Sequence, residues 1–141
     1  MLGSMIILEG TDAVGKTTTI ELLKEYDIQD RDKYISQYMD IDISLQSRAK
    51  LYYDYINKHD NVILFLVNMD RGELERRVSL RNNIDKYDRF TYLYNILYLE
   101  TYLYMEANNM LCNKLYLVDV TGLTIKKQTS KIKTIIDNLN K

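Results

Sequence analysis

Near the start of the chain, Gly10-Thr11-Asp12-Ala13-Val14-Gly15-Lys16-Thr17 sets two glycines with four residues between them, and a lysine and a hydroxyl residue directly after the second. This is the G-x-x-x-x-G-K-[ST] spacing, and its chemistry is the holding of phosphate. Gly10 and Gly15 let the backbone approach an anion without an intervening Cβ. The N–H groups around Ala13, Val14, Gly15 and Thr18 can then converge on a phosphate, and the helix that follows adds positive potential at its N-terminus. At this spacing the Lys16 ammonium reaches between β- and γ-phosphates, and the Thr17 hydroxyl offers an oxygen to Mg²⁺. Asp12 falls close to the group that would be transferred. The expected ligands are ATP and Mg²⁺.

Two further groups of residues fit phosphate chemistry. Asp30-Arg31-Asp32 follows a short apolar segment, so Asp30 is expected at the carboxyl end of a strand, where it can hold a metal's hydration shell or receive a proton. Arg31 presents a planar fork suited to an acceptor phosphate or to the γ-phosphate. An ordinary charged turn would use the same residues. Farther on, Arg76, Arg77, Arg81 and Arg89 gather around the polar run Asn82 to Asp88. Arg77 and Arg81 are four apart and share a helical face. Residues 77–89 read as a closing lid whose guanidiniums neutralise transferring phosphate and whose closure excludes water. The structural alternative pairs these arginines with Glu73, Glu75, Asp85 and Asp88. After the last apolar run comes Asp119-Val120-Thr121-Gly122, and Thr121 and Gly122 are expected beside the base of a donor nucleotide. The alternative there is a plain turn, with Thr121 or Thr124 capping the next helix.

The elements needed to position these groups are legible as alternating periods. Met5 to Glu9, Ile28 to Asp30, Val62 to Val67 and Leu115 to Val118 read as strands; Val62-Ile63-Leu64-Phe65-Leu66-Val67 is too short for a buried helix. Helical patterns separate them. One opens near Gly15 or Lys16. A second runs through Leu45, Ala49, Tyr52 and Ile56, with Ser44 placed to cap it. A short one carries Leu74 and Val78, and a long one carries Phe90, Tyr94, Leu97, Thr101, Met105 and Asn108, widened by Leu93 and Tyr104. A last one carries Ile125, Ile132, Ile135 or Ile136, and Leu139. Strands alternating with helices predict an α/β, three-layer P-loop NTPase fold with a small, mostly parallel sheet of about four strands. Ligands of such sheets lie beyond the strands' carboxyl ends.

Composition narrows the function classes. The 141 residues suit one domain, expected to span 1–141. A formal net charge of −1 argues against broad, non-specific nucleic-acid binding. The single cysteine, Cys112, excludes an internal disulfide and a cysteine-based metal cluster, which suits a reducing cytoplasm. No apolar run reaches the roughly 20 residues that span a bilayer. The thirteen tyrosines and absent proline read as the drift of an AT-rich genome.

Taken in order, these residues resemble the thymidylate kinase family of nucleoside monophosphate kinases and, more loosely, the deoxynucleoside kinases. Ile7-Leu8-Glu9-Gly10-Thr11-Asp12-Ala13-Val14-Gly15-Lys16-Thr17-Thr18 is similar to that family's first strand and phosphate loop, including the acid before the first glycine. Asp30-Arg31 with Tyr34-Ile35-Ser36 resembles its Asp-Arg segment, and the resemblance implies that Arg31 contacts the acceptor phosphate. Leu74, Arg77, Arg81 and Asp88-Arg89-Phe90 resemble its lid, which implies roles for Arg77 and Arg81 in transfer and for Arg89 on the acceptor side. The implied activity is transfer of the ATP γ-phosphoryl group to a deoxynucleoside monophosphate. A nucleoside or polynucleotide 5′-hydroxyl is the alternative acceptor, and a nucleotide-dependent interaction module is the non-enzymatic alternative. One departure bears on the choice. The family carries a strand, an arginine-bearing loop and helical segments between the first helix and the Asp-Arg segment, whereas about a dozen residues separate Lys16 from Asp30 here. A pocket so shortened is expected to be more open, to admit a larger acceptor such as a nucleic-acid 5′ end, or to be completed by a second subunit in a homodimer. The small size and codon bias suit a phage or another compact genome.

Overall fold

Strands buried at every residue need cover on both faces, and β1 (Ile6–Gly10), apolar but for Glu9, and the wholly apolar β3 (Val62–Val67) are of this kind. The computed structural model describes residues 5–11, 13–31, 35, 42–80 and 90–139. Among these, β1 and β3 form the centre of a four-stranded sheet, with β2 (Ile28–Asp30) outside β1 and β4 (Leu115–Asp119) outside β3. All three pairings are parallel. The register sets Asp30 level with Leu8, and Leu66 level with both Gly10 and Val118. The segments that follow β1, β2, β3 and β4 therefore all leave from one edge of the sheet. Across the short stretch between Lys16 and Asp30 the sheet stays continuous, because β1 pairs directly with both β2 and β3.

Alternate strand residues face opposite layers. Ile6, Leu8, Val62, Leu64 and Leu66 pack with Leu23 after helix α1 (Lys16–Leu22) and with Ile132 and Ile136 of α5 (Ile125–Leu139). Ile7, Ile63, Phe65 and Val67 pack with Ala49, Tyr52, Tyr55 and Ile56 of α2 (Leu45–Lys58) and with Tyr98 and Met105 of α4 (Thr91–Ala107). Helix α3 (Arg71–Ser79) lies against α4 and buries Leu74. The result is a three-layer α/β fold with a small parallel sheet, as the alternation of periods predicts. No helix among the described residues is long and apolar enough to cross a membrane.

Local chemistry sets the helix starts. Ser44 Oγ accepts from the Ser47 N–H at 3.1 Å and opens α2. Asp70 Oδ1 accepts from the Glu73 N–H at 3.0 Å and opens α3. Thr124 Oγ1 accepts from the Lys127 N–H at 3.2 Å at the start of α5. The face of α4 keeps Thr101 and Met105 of the expected stripe but differs from it over the first half of the helix. Its buried residues are Thr91, Asn95, Tyr98, Thr101 and Met105, while Phe90 and Leu93 are exposed. Polar groups turn the helix. Asn95 Oδ1 accepts from the Asn68 N–H at 2.9 Å, and its Nδ2 donates to the Asn68 carbonyl at 2.8 Å. A count of apolar residues cannot register a side chain that is buried because it is hydrogen-bonded.

Glu9, 1% exposed, ends the buried run of β1 against the α2–α4 layer. Its Oε1 accepts from the Tyr52 hydroxyl at 2.7 Å and from the Tyr98 hydroxyl at 3.3 Å. Phe65 packs edge-to-face with both rings, at centroid separations of 4.8 and 5.3 Å. Burial, reinforced by the Glu9 charge, pushes both phenols up from their ordinary pKa of 10.0. Both therefore remain protonated donors across the neutral range. Because their folded pKa is raised, this contribution is complete below pH 10.0 and is lost as the pH climbs beyond it. Tyr52→Phe leaves the ring packing but removes the shorter donor from a buried carboxyl, and should lower stability by about 1–3 kcal/mol. Tyr98→Phe should cost less, since its bond is longer. Urea unfolding midpoints at pH 7 for the two variants check the order; equal midpoints with wild type would show that Glu9 draws nothing from either hydroxyl.

Candidate phosphate-binding site

The turn between β1 and α1 is built from backbone that most residues avoid. Gly15 has φ +100°, and Ala13 takes φ +70° without being glycine. A Cβ on Gly15 would fall 2.7 Å from Gln128 Nε2 and 2.8 Å from Ile125 Cδ1, and one on Gly10 would fall 2.9 Å from the Leu66 carbonyl oxygen. Gly10 is thus required by its close approach to the β3 backbone, while Gly15 is favoured by its left-handed backbone and also sits against side-chain ends of α5.

The carbonyls of this turn are tied down by side chains from four elements. Lys16 Nζ donates to Gly10 O at 2.8 Å and to Thr11 O at 3.0 Å. Arg31, just past β2, donates through a terminal nitrogen to the same Gly10 O at 3.0 Å. Arg77 of α3 donates to Ala13 O at 3.2 Å. Gln128 of α5 donates through Nε2 to Val14 O at 3.0 Å. Thr11 Oγ1, itself buried, donates to the Thr91 carbonyl at 2.7 Å and joins the turn to the start of α4.

In front of the turn lies a cleft of about 520 Å³ lined by Ala13, Gly15, Lys16, Thr17, Thr18, Asp30, Arg31, Arg77 and Ile125. All of these except Ile125 are candidates on sequence grounds, and they come from separate segments of the chain. Thr17 Oγ1 and Asp30 Oδ2 stand 3.5 Å apart. These are hard oxygen donors, one hydroxyl and one carboxylate, which suits a Mg²⁺ ion that retains most of its water and takes its other ligands from phosphate. Among the described residues no group of three or more His, Cys, Asp or Glu is placed to hold a metal by protein ligands alone. Arg31 takes φ +60°, a left-handed backbone for a long side chain. Conformations of this kind cost on the order of 1–3 kcal/mol and persist where the surroundings over-determine them. Here Arg31 N–H donates to Leu8 O at 2.9 Å while the guanidinium reaches Gly10.

The other sequence candidates are placed differently. Gly10 and Val14 lie behind the cleft wall, and Val14 is fully buried. Gly122 lines a second cavity of about 380 Å³ together with Asn68, Asp70, Glu73, Arg76, Arg77, Leu123, Thr124 and Ile125. Arg77 and Ile125 border both cavities. Thr121 is absent from both walls. Its Oγ1 donates to Asp119 Oδ1 at 2.6 Å and accepts from the Met69 N–H at 2.8 Å, so its side chain ties the turn after β4 to the turn after β3. Asp12, Arg81 and Arg89 lie outside the described residues, as does the lid from 81 to 89.

Arg77 also takes part in the structural pairing considered above. Its Nε donates to Glu73 Oε1 at 2.9 Å, and Arg76 donates to the same carboxylate at 2.7 Å. The hydrogen bonds from Arg76 and Arg77 hold the Glu73 carboxyl well below the usual carboxylate range, at about 2. Pairing and cleft lining therefore coexist. One end of the Arg77 guanidinium is oriented by Glu73 while the other touches the turn.

No motif in the sequence marks Gln128, Ile125 or Thr91 as part of the site. The available signal for Gln128 is a polar residue on the stripe Ile125, Ile132, Ile136, at the position three residues after Ile125 and four before Ile132.

No protein-family model matches the chain, and no curated protein matches its sequence. The family resemblance thus rests on the phosphate-loop residues and on the order of elements; the topology itself is that of P-loop NTPase-like domains in general.

The two left-handed glycines separate conformation from contact. Gly15→Ala combines strain with two sub-van-der-Waals contacts and should destabilise by more than about 2 kcal/mol, above the ~1–2 kcal/mol of left-handed strain alone. Gly122 has φ +76°, and a Cβ there would meet nothing within 4 Å. Gly122→Ala should therefore lose about that strain alone. Thermal melts of both variants check this; equal losses would mean that the Gln128 and Ile125 contacts at Gly15 relax freely.

Proposed function

We propose that the chain is an ATP-dependent nucleotide kinase, similar to thymidylate kinases, which transfers the γ-phosphoryl group to a deoxynucleoside monophosphate. The observation that carries this reading is the cleft onto which Lys16, Thr17, Asp30, Arg31 and Arg77 converge at the carboxyl edge of the sheet. In the reaction an oxygen of the acceptor phosphate bonds to Pγ, the bond from Pγ to the β-phosphate oxygen breaks, and ADP leaves.

The turn binds the donor's phosphates through backbone N–H groups, and the Lys16 ammonium meets the charge that builds on the oxygen between Pβ and Pγ. Thr17 and Asp30 would hold Mg²⁺. When bound, that ion neutralises charge on the β- and γ-phosphates. Arg31 stands at the exit of β2 and is suited to grip the acceptor's phosphate, its fork presenting parallel donors to two oxygens. Arg77 approaches from α3 and orients charge-assisted donors toward the transferring group. The second cavity, which shares Arg77 and Ile125 with the first, is where the donor's base would lie, against Gly122 rather than Thr121.

The test is an ADP-release screen of the full chain with ATP and Mg²⁺ against deoxynucleoside monophosphates, nucleosides and a 5′-hydroxyl oligonucleotide. A monophosphate is expected to be the best acceptor. Release driven best by a nucleoside or an oligonucleotide would move the acceptor assignment, and tight ATP binding without any acceptor-stimulated release would favour the interaction module. With the best acceptor, Lys16→Ala should reduce turnover by a factor equivalent to roughly 2.7–4 kcal/mol while the fold remains intact. Arg77→Ala should lower kcat at least about tenfold with a smaller change in ATP affinity, since its contribution is greatest as charge spreads over the transferring group. A proportionate loss of melting temperature and of every function in Arg77→Ala would assign it to the Glu73 pairing alone.

A further inference from the structure

We infer that Gln128, a buried amide of α5 far along the chain from the phosphate loop, is a positioning residue that aims the Gly15 N–H at the donor's phosphates. The inference rests on the phosphate-binding reading of the cleft, and it adds to it a component that no loop motif contains.

The geometry starts from one peptide plane. The peptide between Val14 and Gly15 is trans, as are the others among the described residues, so the Val14 carbonyl and the Gly15 N–H point in opposite directions across it. Gln128 Nε2 donates to Val14 O at 3.0 Å and so draws that carbonyl away from the cleft, toward α5. The Gly15 N–H is thereby turned the other way, and Gly15 lines the cleft. The carboxamide is locked in its turn. Its nitrogen also donates to the buried Thr19 Oγ1 of α1 at 3.2 Å, and Gln128 itself is fully buried. It also sits directly against the loop, which is why a Cβ at Gly15 would fall 2.7 Å from its nitrogen.

The neighbouring carbonyl shows that this pin is a particular one. Ala13 O is held by Arg77 at 3.2 Å, but the N–H on the far side of that peptide belongs to Val14, which donates to Thr11 O at 3.4 Å. That amide is used within the turn. Gln128 thus controls a peptide whose N–H faces the cleft, while Arg77 controls one whose N–H is turned inward. A second feature sets Gln128 apart from packing residues. Its Oε1 is buried and has no hydrogen-bond partner among the described residues. A methionine of similar length would fill the space without that cost, so the amide is explained by what its nitrogen does. The same helix begins at Ile125, which borders both cavities. The residues beside the donor's base and those aiming the loop are therefore on one rigid element.

The experiment compares wild type with Gln128→Met and with a control, Thr19→Ala, that removes only the second acceptor. ATP, inorganic tripolyphosphate and adenosine are titrated by calorimetry, melting is measured in parallel, and the Gly15 amide is followed in ¹H–¹⁵N spectra. Gln128→Met should bind ATP and tripolyphosphate about tenfold more weakly, the scale of one hydrogen bond to a charged group. Adenosine binding should be unchanged in every variant, and Thr19→Ala, which keeps the Val14 bond and removes only the second hold on the amide, should weaken tripolyphosphate binding less than Gln128→Met does. In wild type, the Gly15 amide should shift on addition of tripolyphosphate and not of adenosine. A Gln128→Met protein that binds tripolyphosphate as tightly as wild type overturns the role of Gln128 while leaving the phosphate site intact. Should that variant fail to fold, the wild-type spectra still decide, because a Gly15 amide unmoved by bound tripolyphosphate overturns the inference. Wild type that binds neither ATP nor tripolyphosphate overturns the functional reading as well.

Discussion

The orientation of the carbonyls between Gly10 and Val14 is the constraint on which the rest of the site depends. A tight turn carries as many acceptors as donors, and it can present N–H groups to an anion only if its carbonyls are satisfied elsewhere. Here Gly10 O, Thr11 O, Ala13 O and Val14 O all accept from side chains, namely Lys16, Arg31, Arg77 and Gln128. These come from α1, the exit of β2, α3 and α5. The turn is local in sequence, and the polarity of its backbone is set from four places in the fold.

The parallel sheet makes this convergence geometrically available. Because β1, β2 and β3 share direction and register, Asp30 lies level with Leu8 and Leu66 with Gly10, and the three exits open on one edge. Arg31 reaches the turn from the β2 side and Arg77 from the helix that follows β3. Beneath them, the Glu9 carboxyl joins β1 to α2 and α4 through Tyr52 and Tyr98, so both helices of that layer are fixed one residue before the turn begins. Asn95 does the same for β3, supplying both a donor and an acceptor to the Asn68 backbone just past the strand's end.

On the kinase reading proposed above, the short segment between α1 and β2 bears more on the acceptor side than on the donor side. All the donor-side residues that the phosphate-loop pattern predicts and that lie among the described residues line the cleft or back its wall. On the acceptor side Arg31 alone is placed among the described residues, held in a left-handed conformation by bonds to Leu8 and Gly10. That arginine is oriented by the sheet edge at Leu8 and by the turn at Gly10.

By itself the sequence determined the elements and the glycine-lysine turn. Short unbroken apolar runs and period-3.6 apolar patterns are local consequences of burial in a sheet covered on both faces or on one face of a helix, and the strands at Ile6, Ile28, Val62 and Leu115 follow from them, as does the cap at Ser44. The spacing of Gly10, Gly15, Lys16 and Thr17 is equally local, since one turn must carry all four. Tertiary structure decided whatever depends on a buried polar partner. Asn95 rotated α4 away from its apolar count, Thr121 turned its hydroxyl to Asp119 and Met69, and Gln128 entered the site from more than a hundred residues away. A hydrogen bond between distant elements leaves only a polar residue on an apolar stripe, and its partner is unknown until the chain has folded, because that partner is most often a backbone atom that every residue possesses.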